Sequence, residues 1–399
     1  MQPNPDMFVP AFPTLGPEAL LHHRQSPGHP LSSPNAHYFF FARNAIWHTV
    51  KMLGLERGEV LVPSYHHGVE VEALIDAGAH VEFYRIGAKL EVDFQDLERR
   101  IGPKTKALYL IHYAGFPGPV REMKKLAEIY GLPLIEDCAL SLFSKEGDVP
   151  LGVTGDVAIF CLYKLLPVPN GGALICNGPD RCNMAELPPP SASTTFSLVS
   201  SSLLRNMALR GGKLGRTLRQ LALGVGKGTM RASNITHVST DSQHFNLNDV
   251  NLGVSWITKQ LMFRQDVAAI ARKRRRNYAY LLDHLRDVSS PLFDNLPDGN
   301  VPLFYPLLVE DNRATANRLL SKGIEAVNFW CDFHPTCSDR EFPEAAILLR
   351  SVVEIPCHQD LTLKTMAKIA KAIRDVLAVE HAEASDSFQP TSRETSRAS

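Results

Sequence analysis

Apolar and polar residues follow two alternating patterns between residues 38 and 180. Short apolar runs bounded by Gly, Pro and Asp predict strands that are covered on both faces. Between these runs, apolar residues recur at helical spacing. The predicted strands are EVLVPS, HVEFYRI, KALYLIHY, PLIED, GDVAIFCLY and GGALICN, and the predicted helices are ARNAIWHTVKMLGL, HGVEVEALIDAG, DFQDLERRI and VREMKKLAEIYG. Because right-handed crossovers join such strands, this order predicts an α/β fold with a mostly parallel central sheet sandwiched by helices.

This regular pattern belongs to a large domain that we expect over residues 37–250. Residues 1–36 carry many prolines, which predicts an extended N-terminal arm that packs on the surface or on a second subunit. Within the large domain, residues 183–250 change to proline, serine and basic residues. We expect an irregular insertion there that carries one or two helices.

A smaller domain is expected over residues 251–380. Apolar residues at helical spacing over 252–286 predict one long linking helix. The strand VPLFYPLLVE and two further helices then predict a small C-terminal α+β domain. Residues 381–399 are polar and low in aromatics, so a disordered tail is expected.

Charge and cysteine content narrow the class of protein. The 42 Lys and Arg balance 42 Asp and Glu, so no nucleic-acid partner is expected. The basic run at 271–277 lies on the predicted linking helix and is interpreted as a solvated face or a site for an acidic substrate tail. Seven cysteines without a CxxC pair argue against a disulfide framework and a zinc ribbon. No metal site is predicted.

The sequence shows neither a membrane-spanning segment nor an export signal. No run approaches the roughly 20 apolar residues of a membrane helix, and the N-terminus lacks the basic start and apolar core of an export signal. We therefore expect a soluble, cytoplasmic protein with no membrane partner, and a reducing cytosol fits the cysteines.

Two residues at predicted strand ends carry the candidate chemistry. The strand PLIED ends in Asp137, where a carboxylate is costly unless it meets a cation such as a protonated ring nitrogen. The strand VAIFCLY delivers Lys164 to the same edge, and a desolvated amine is a nucleophile toward aldehydes. Alone, each residue type usually faces solvent. Together they indicate pyridoxal phosphate, which needs a Schiff-base lysine and an acid on its ring nitrogen.

The same segments resemble the DegT/DnrJ/EryC1/StrS family of sugar aminotransferases, which have the aspartate aminotransferase fold (fold type I). The resemblance covers roughly residues 38 to 378. It is carried by GEVLVPSYHHGVEVEALIDAGAHVEFYRI, PKTKALYLIHYAGFPGPVREMKKLAEIYGLPLIEDCA, GDVAIFCLYKLLPVPNGGAL and EIPCHQDLTLKTMAKIAKAI. The order of GLPLIEDCA followed by the lysine and the glycine pair is its specific part.

The resemblance implies roles for three residues around the cofactor ring. Lys164 would form the Schiff base and then move protons between substrate and cofactor. Asp137 would hold the proton of the ring nitrogen. His67 lies where the family places a flat side chain over the ring, although an ordinary loop histidine is the alternative.

The resemblance also implies phosphate contacts at the start of the first helix. Arg43 could bind the phosphate there or pair with a neighbouring acid, and Asn44 lies beside it. The family has serine or threonine ahead of the lysine, where this chain has Cys161 and Tyr163. Asn251 aligns with an asparagine that reaches the phosphate from the second subunit.

Substrate contacts are expected from His112 and Tyr113, which end the strand ALYLIHY at the same edge. The family often has glutamine or histidine near the position of Leu140, close to the ring hydroxyl of the cofactor. Leucine cannot form that hydrogen bond, so Ser141 or a tyrosine takes the role, or no residue does.

The resemblance implies an aminotransferase that moves an amino group from glutamate to a keto group of a nucleotide-activated sugar, in polysaccharide or secondary-metabolite biosynthesis. It also implies a homodimer with shared active sites. Two alternatives stay open. One is a protein that keeps the fold as a non-catalytic sensor or scaffold, and the other is a different pyridoxal-phosphate reaction, such as dehydration or racemisation.

Overall fold

The computed structural model describes residues 7–17, 19, 26–178, 184–230, 245–330 and 332–387. Its larger sheet has seven strands, in the order β1-β9-β8-β5-β4-β2-β3. The strands are β1 (Ala36–Phe39), β2 (Glu59–Pro63), β3 (His80–Tyr84), β4 (Thr105–Ile111), β5 (Leu134–Asp137), β8 (Val157–Cys161) and β9 (Gly172–Cys176). A small hairpin, β6 (Lys145–Glu146) and β7 (Val149–Pro150), lies between β5 and β8.

Five neighbouring strands of this sheet are parallel to one another: β3, β2, β4, β5 and β8. Strand β9 is antiparallel to both of its neighbours, β8 and β1. The predicted, mostly parallel sheet is therefore confirmed. Central strands such as β5 and β8 are buried along their whole length, as expected for a sheet with helices on both faces. The carboxyl ends of β2, β4, β5 and β8 meet at one edge, which we call the sheet mouth.

Four helices connect these strands: α1 (Ala42–Leu53), α2 (Val69–Asp76), α3 (Phe94–Arg100) and α4 (Val120–Tyr130). They match the four predicted helices. Both α1 and α4 end at a glycine in the left-handed conformation, Gly54 and Gly131, which accommodates that geometry without a side-chain clash. α3 begins at Asp93, whose side chain accepts a hydrogen bond from the backbone N–H of Asp96.

The expected insertion contains two helices, α5 (Ala192–Arg210) and α6 (Gly212–Met230). α5 begins at Ser191, whose hydroxyl caps the backbone N–H of Thr194. Only Gly211 separates the two helices. Residues 179–183 and 231–244 of the expected insertion lie outside the described residues.

The single linking helix predicted over 252–286 is wrong. The structure has α7 (Trp256–Met262) and α8 (Val267–Leu285), with a break after Phe263. Asp266 begins the second helix by accepting a hydrogen bond from the backbone N–H of Ala269. The apolar residues keep their helical spacing through residues 263–266, but the Asp266 cap starts a new helix there, so the backbone is not one continuous helix.

The small C-terminal sheet has the antiparallel order β10-β12-β11, formed by β10 (Phe304–Leu308), β11 (Val327–Asn328) and β12 (Val352–Pro356). Its helices are α9 (Asn312–Ser321), α10 (Pro343–Ser351) and α11 (Leu363–Ser387). The tail predicted from residue 381 is wrong over its first seven residues, because α11 continues to Ser387. The rest of the predicted tail lies outside the described residues.

The N-terminal arm packs on the small sheet of its own chain. Val9 forms a parallel bridge with Ile324, and its N–H donates to the carbonyl of Gly323 at 2.8 Å. Further along, the backbone N–H of Thr14 donates to the Asp360 carboxylate at 2.8 Å. Of the two predicted positions for the arm, the described residues 7–17 occupy the one on the surface.

Arg274 in α8 joins the two sheets and is an exception to the solvated face predicted for the run 271–277, in which Arg272, Lys273 and Arg276 are exposed. Its side chain is 0% exposed. The guanidinium donates to the carbonyls of Pro302 and Leu303 and to the side chain of Gln359. The amide of Gln359 in turn donates to the carbonyl of Leu165 at 2.9 Å, so the small domain contacts the residue next to Lys164.

The cysteines and the length and polarity of the helices bear on two expectations from the sequence. Cys176, at the end of β9, is disulfide-bonded, which does not fit the expected reducing cytosol. Cys138, Cys161, Cys337 and Cys357 are free and buried. Within the described ranges, every helix is too short or too polar to cross a bilayer.

Candidate active site

Asp137 lies at the carboxyl end of β5 and is 6% exposed. Its Oδ2 accepts a hydrogen bond from the Tyr109 hydroxyl at 2.6 Å, and its Oδ1 accepts one from the backbone N–H of Ala139 at 2.8 Å. Burial raises the pKa of Asp137, while these two donors and the positive charge of Lys164 oppose the rise. The site thus contains a fixed, buried acid close to a lysine.

Lys164 follows the end of β8 by three residues, and β8 pairs with β5 so that Ile159 lies opposite Asp137. The side chain is partly buried. Its amine makes no hydrogen bond or ion pair with any residue in the described parts of the chain. A lysine amine at the sheet mouth with no partner among the described residues is available to a ligand.

Glu70 is a third titratable residue of the site that the sequence analysis missed. It lies in the first turn of α2, is 5% exposed, and accepts a hydrogen bond from the backbone N–H of His67 at 2.7 Å. Burial and then the charge of Asp137 raise the pKa of Glu70 to about 7, against the effect of Lys164. The sequence signal was an acid in the first turn of the helix that follows the end of β2 after the loop 64–68.

His112 is not available to a substrate, which corrects its predicted role. It is fully buried, with Nε2 3.1 Å from the Glu136 carboxylate and Nδ1 accepting from the backbone N–H of Gly118. The backbone N–H groups of Gly152, Thr154 and Gly155 also donate to Glu136. Burial works against the ionised form of Glu136, but these donors lower its pKa overall. His112 and Glu136 therefore tie loops together beneath the site.

Tyr113 and Ser141 have also used their hydroxyls within the protein. The Tyr113 hydroxyl donates to the carbonyl of Tyr65 at 2.8 Å, and its ring contacts Trp330 at 5.5 Å. Tyr113 is 5% exposed, so the predicted substrate contact is corrected here as well. The Ser141 hydroxyl donates to the carbonyl of His112, so it does not replace the family's glutamine or histidine.

The N-terminus of α1 lies against β9 and faces the segment before Lys164. The Arg43 guanidinium lies 4.6 Å from the ring of Phe41 and makes no ion pair or hydrogen bond within the described ranges. A Cβ on Gly172 would lie 2.5 Å from the backbone nitrogen of Ala42, so glycine is required for this close approach. The N-terminus of α1 and the Arg43 guanidinium together form a position that could bind an anion.

Asn44 does not share this position, which corrects its predicted role. Its side chain is 1% exposed and its Nδ2 donates to the carbonyl of Asp249 at 2.5 Å. His48 makes a second contact of this kind, with Nε2 3.1 Å from the carbonyl of Val250. α1 thereby fixes the start of the segment that leads to Asn251, which is exposed.

Cys161 ends β8 and Tyr163 directly precedes Lys164, and the charge of Arg43 acts on both. Burial raises the pKa of the Cys161 thiol, while Lys164 and Arg43 oppose that rise. Tyr163 packs its ring edge-on against Phe41 at 5.7 Å. Their predicted cofactor contacts stay predictions.

His67 lies at the sheet mouth, in the loop between β2 and α2. Its ring is 6.4 Å from that of Trp330, in an edge-on arrangement. The helix that follows this loop carries Glu70, on which the charge of Asp137 acts. His67 is therefore in the same part of the site as Asp137, and its predicted stacking on the cofactor ring stays a prediction.

Sequence comparison identifies the family to which this arrangement belongs. The profile of the DegT/DnrJ/EryC1/StrS aminotransferase family matches residues 42–374. The chain belongs to this family. Membership confirms the predicted family and the predicted enzyme class, an aminotransferase.

Two curated enzymes are similar to this chain. The dTDP-4-dehydro-2,3,6-trideoxy-D-glucose 4-aminotransferase of Saccharopolyspora spinosa is 26% identical over 351 residues, covering 84% of this chain and 82% of that protein. The GDP-perosamine synthase of Vibrio cholerae is 32% identical over 137 residues, covering 33% of this chain and 37% of that protein. This second match therefore spans little more than a third of the synthase.

A solved structure supports the fold. The aminotransferase TlmJ from Streptoalloteichus hindustanus matches with a TM-score of 0.65 at 19% identity, covering 94% of this chain and 100% of that one. The predicted fold type I architecture of the family is confirmed by this similarity and by the observed sheet order.

Proposed function

We propose that this family member is a pyridoxal-phosphate-dependent aminotransferase that transfers an amino group from glutamate, or a similar donor, to a keto group of a nucleotide-activated sugar. The observation that carries the proposal is the Lys164 amine, which has no partner among the described residues, beside the buried acid Asp137 at the sheet mouth. The names of the two curated relatives support the sugar acceptor.

The donor set of the site fits this cofactor. Asp137 would hold the ring nitrogen, and the Lys164 amine would bind the aldehyde carbon. Arg43 and the start of α1 would hold the phosphate, in the close approach that Gly172 permits. His67 would cover one face of the ring. When bound, pyridoxal phosphate supplies an electron sink that stabilises negative charge on the substrate carbon.

The protein's own part in the reaction is proton transfer and electrostatics. The Lys164 amine would accept the proton from the donor's α-carbon, and would donate a proton to the acceptor's carbon in the second half of the reaction. Asp137 would face the ring nitrogen, and Tyr109 and the N–H of Ala139 hold its carboxylate in place. Both steps need these side chains fixed before the substrate binds.

We further propose that two copies pair and share their active sites, since Asn251 is exposed on the segment fixed by α1. We also propose a cytoplasmic location. The four free thiols support this location, whereas the disulfide at Cys176 is an observation against it. Sedimentation velocity tests the dimer, and cell fractionation tests the location.

The first experiment records the visible absorbance of the purified protein before and after glutamate is added. We expect a cofactor band that shifts to that of the amine form. Lys164→Ala should lose the band of the lysine-bound cofactor, while Lys89→Ala, a change of an exposed lysine, should behave as wild type. A protein that stays colourless with added pyridoxal phosphate would contradict the cofactor, and a band that glutamate leaves unchanged would favour the sensor or scaffold alternative.

A further inference from the structure

Trp330 is a buried tryptophan of the small domain with an unusual backbone conformation. It lies two residues after the end of β11 and is 7% exposed. Its φ of 51° falls in the left-handed region, which a bulky side chain rarely adopts. Such a conformation costs free energy and persists only where the surrounding structure fixes it, and residues of this kind cluster at functional sites. The backbone strain at Trp330 therefore points to a function of its side chain.

The indole of Trp330 packs among residues of the large domain at the sheet mouth. Its ring centroid lies 5.0 Å from that of Tyr65, 5.5 Å from that of Tyr113 and 6.4 Å from that of His67. Tyr65 and His67 belong to the loop after β2, and Tyr113 follows β4. The contact with His67 is edge-on, with 73° between the ring planes, an arrangement that aromatic rings favour. One side chain of the small domain thereby contacts two loops at the mouth.

Contacts on both sides of Trp330 fix its backbone to the loop after β2. Before it, the carbonyl of Phe329 accepts a hydrogen bond from the Tyr65 hydroxyl at 3.5 Å. After it, the backbone N–H of His334 donates to Nε2 of His66 at 3.4 Å. The indole between these two contacts is therefore held in a fixed position against the loop.

His67 is contacted at two points that come from different domains. Glu70 of the large domain accepts a hydrogen bond from the backbone N–H of His67 at 2.7 Å, which fixes the main chain of the loop. That bond does not set the rotamer of the imidazole, whereas the indole of Trp330 packs against the ring itself. A side chain that is fixed before its ligand binds loses less entropy on binding. The indole thus supplies a support that a ring-covering imidazole needs.

We propose that Trp330 is a positioning residue for the proposed reaction, and that its indole holds the His67 imidazole where it covers the cofactor ring. This proposal rests on the proposed function, because it requires both the cofactor and the stacking role of His67. It makes the contact between the two domains part of the cofactor site. A tryptophan that served packing alone would stabilise that contact without acting through His67, so the two roles differ when both residues are changed.

The test is a double-variant cycle on cofactor affinity, measured by titrating the cofactor-free protein with pyridoxal phosphate and following its visible absorbance. His67→Ala and Trp330→Leu should each weaken binding roughly fivefold, because the cofactor ring loses its cover or the cover loses its support. The double variant should bind no more weakly than His67→Ala alone. Trp330→Phe, which keeps an aromatic ring, should bind more tightly than Trp330→Leu. Phe196→Leu, a change at an aromatic residue that is 74% exposed, is the control and should bind as wild type.

Three results would overturn the proposal: losses of affinity that add in the double variant, a His67→Ala variant that binds as wild type, or a Trp330→Leu variant that does so. Urea unfolding of the cofactor-free variants shows which of them fold, and the cycle is run with Trp330→Phe if Trp330→Leu does not. Wild-type protein that binds no pyridoxal phosphate would overturn the proposed function together with this proposal. Additive losses in a protein that binds the cofactor would overturn this proposal alone, so the two failures are distinguishable.

Discussion

Glu70 and Asp137 are two buried carboxyl groups that influence each other's protonation. Burial raises the pKa of Asp137, and two donors and the charge of Lys164 oppose that rise. Glu70 has one backbone donor, from His67, and burial followed by the charge of Asp137 raises its pKa to about 7. Two acids that interact in this way favour a shared negative charge over two full charges, so Glu70 changes its charge near neutral pH.

The pKa of Glu70 makes a prediction for stability against pH. The free carboxyl has a pKa of 4.5, so between about pH 4.5 and pH 7 the unfolded chain loses this proton before the folded protein does. Stability linked to Glu70 is full below that window and is lost as pH rises through it. Relative to wild type, Glu70→Gln should gain about 3 kcal/mol in unfolding free energy across the window. Urea unfolding without cofactor, on both sides of the window, measures the gain.

The matched control for Glu70→Gln is Glu122→Gln, an exposed acid in α4. Its unfolding free energy should differ from that of wild type by the same small amount at every pH. A Glu70→Gln difference that stays constant across the window would show that the carboxyl titrates at its ordinary pKa.

Tyr109 is predicted to matter through its hydrogen bond to Asp137. Tyr109→Phe removes a 2.6 Å bond to a buried carboxylate while keeping the ring, so it should lower the unfolding free energy by about 1.5 to 3 kcal/mol. It should also raise the pKa of Asp137, which moves the acidic limb of the kcat/KM profile to higher pH. Tyr130→Phe, on an exposed hydroxyl, is the control. An unmoved acidic limb would contradict the role given to Tyr109.

Among the elements, the contact between α1 and β9 has the sharpest geometric requirement. The start of α1 approaches Gly172 so closely that Gly172→Ala would place a methyl group 2.5 Å from the backbone of Phe41 and Ala42. The helix start must then move away from the predicted phosphate position. We expect cofactor affinity to fall about tenfold or more, as measured by the absorbance of the bound cofactor during dialysis.

Gly102→Ala is the control for this substitution, because a Cβ at Gly102 meets nothing within 4 Å. Its cofactor affinity should equal that of wild type. If Gly172→Ala also retains the cofactor while its unfolding free energy falls, the close approach serves packing alone.

The sheet and its four helices could be predicted because each apolar run ends at Gly, Pro or Asp, so the apolar spacing and the turn-forming residues indicate the same boundaries. The break between α7 and α8 could not, since apolar spacing continues through it and only the Asp266 cap ends the continuity. Asp137 and Lys164 were accessible because a charged residue after a fully apolar strand is conspicuous. Glu70 was not, because an acid in the first turn of a helix commonly serves the helix dipole alone.

The errors at His112 and Asn44 have another physical origin. His112 follows a strand end as Lys164 does, but its ring is bound on one side by Glu136 and on the other by a backbone N–H. Asn44 bonds to a carbonyl 205 positions away along the sequence. Contacts of such long range follow from tertiary packing and leave no mark in a local pattern.

In the molecule as a whole, Arg274 and Gln359 connect the small domain to the chain beside Lys164. Gln359→Ala would leave the Leu165 carbonyl with only the longer contact to Arg274, at 3.4 Å, and would leave Arg274 Nε unpaired. We expect a loss of about 2 to 4 kcal/mol in unfolding free energy, since buried polar groups lose their partners. Denaturant unfolding measures it, with the exposed Gln220→Ala as control. A loss below about 0.5 kcal/mol would mean that water replaces these bonds.

The N-terminal arm can pack against its partners only after most of the described chain has been synthesised. Thr14 is bound by Asp360, which is 346 positions further along the chain, so the arm cannot complete its packing until that segment has been translated. At about 5 to 20 residues per second, the arm waits roughly 20 to 70 seconds after it is made. During that time Val9 and Leu15, which are 0% and 3% exposed in the finished protein, are in water on the nascent chain. Packing of the arm is thus a late event in the folding of the chain.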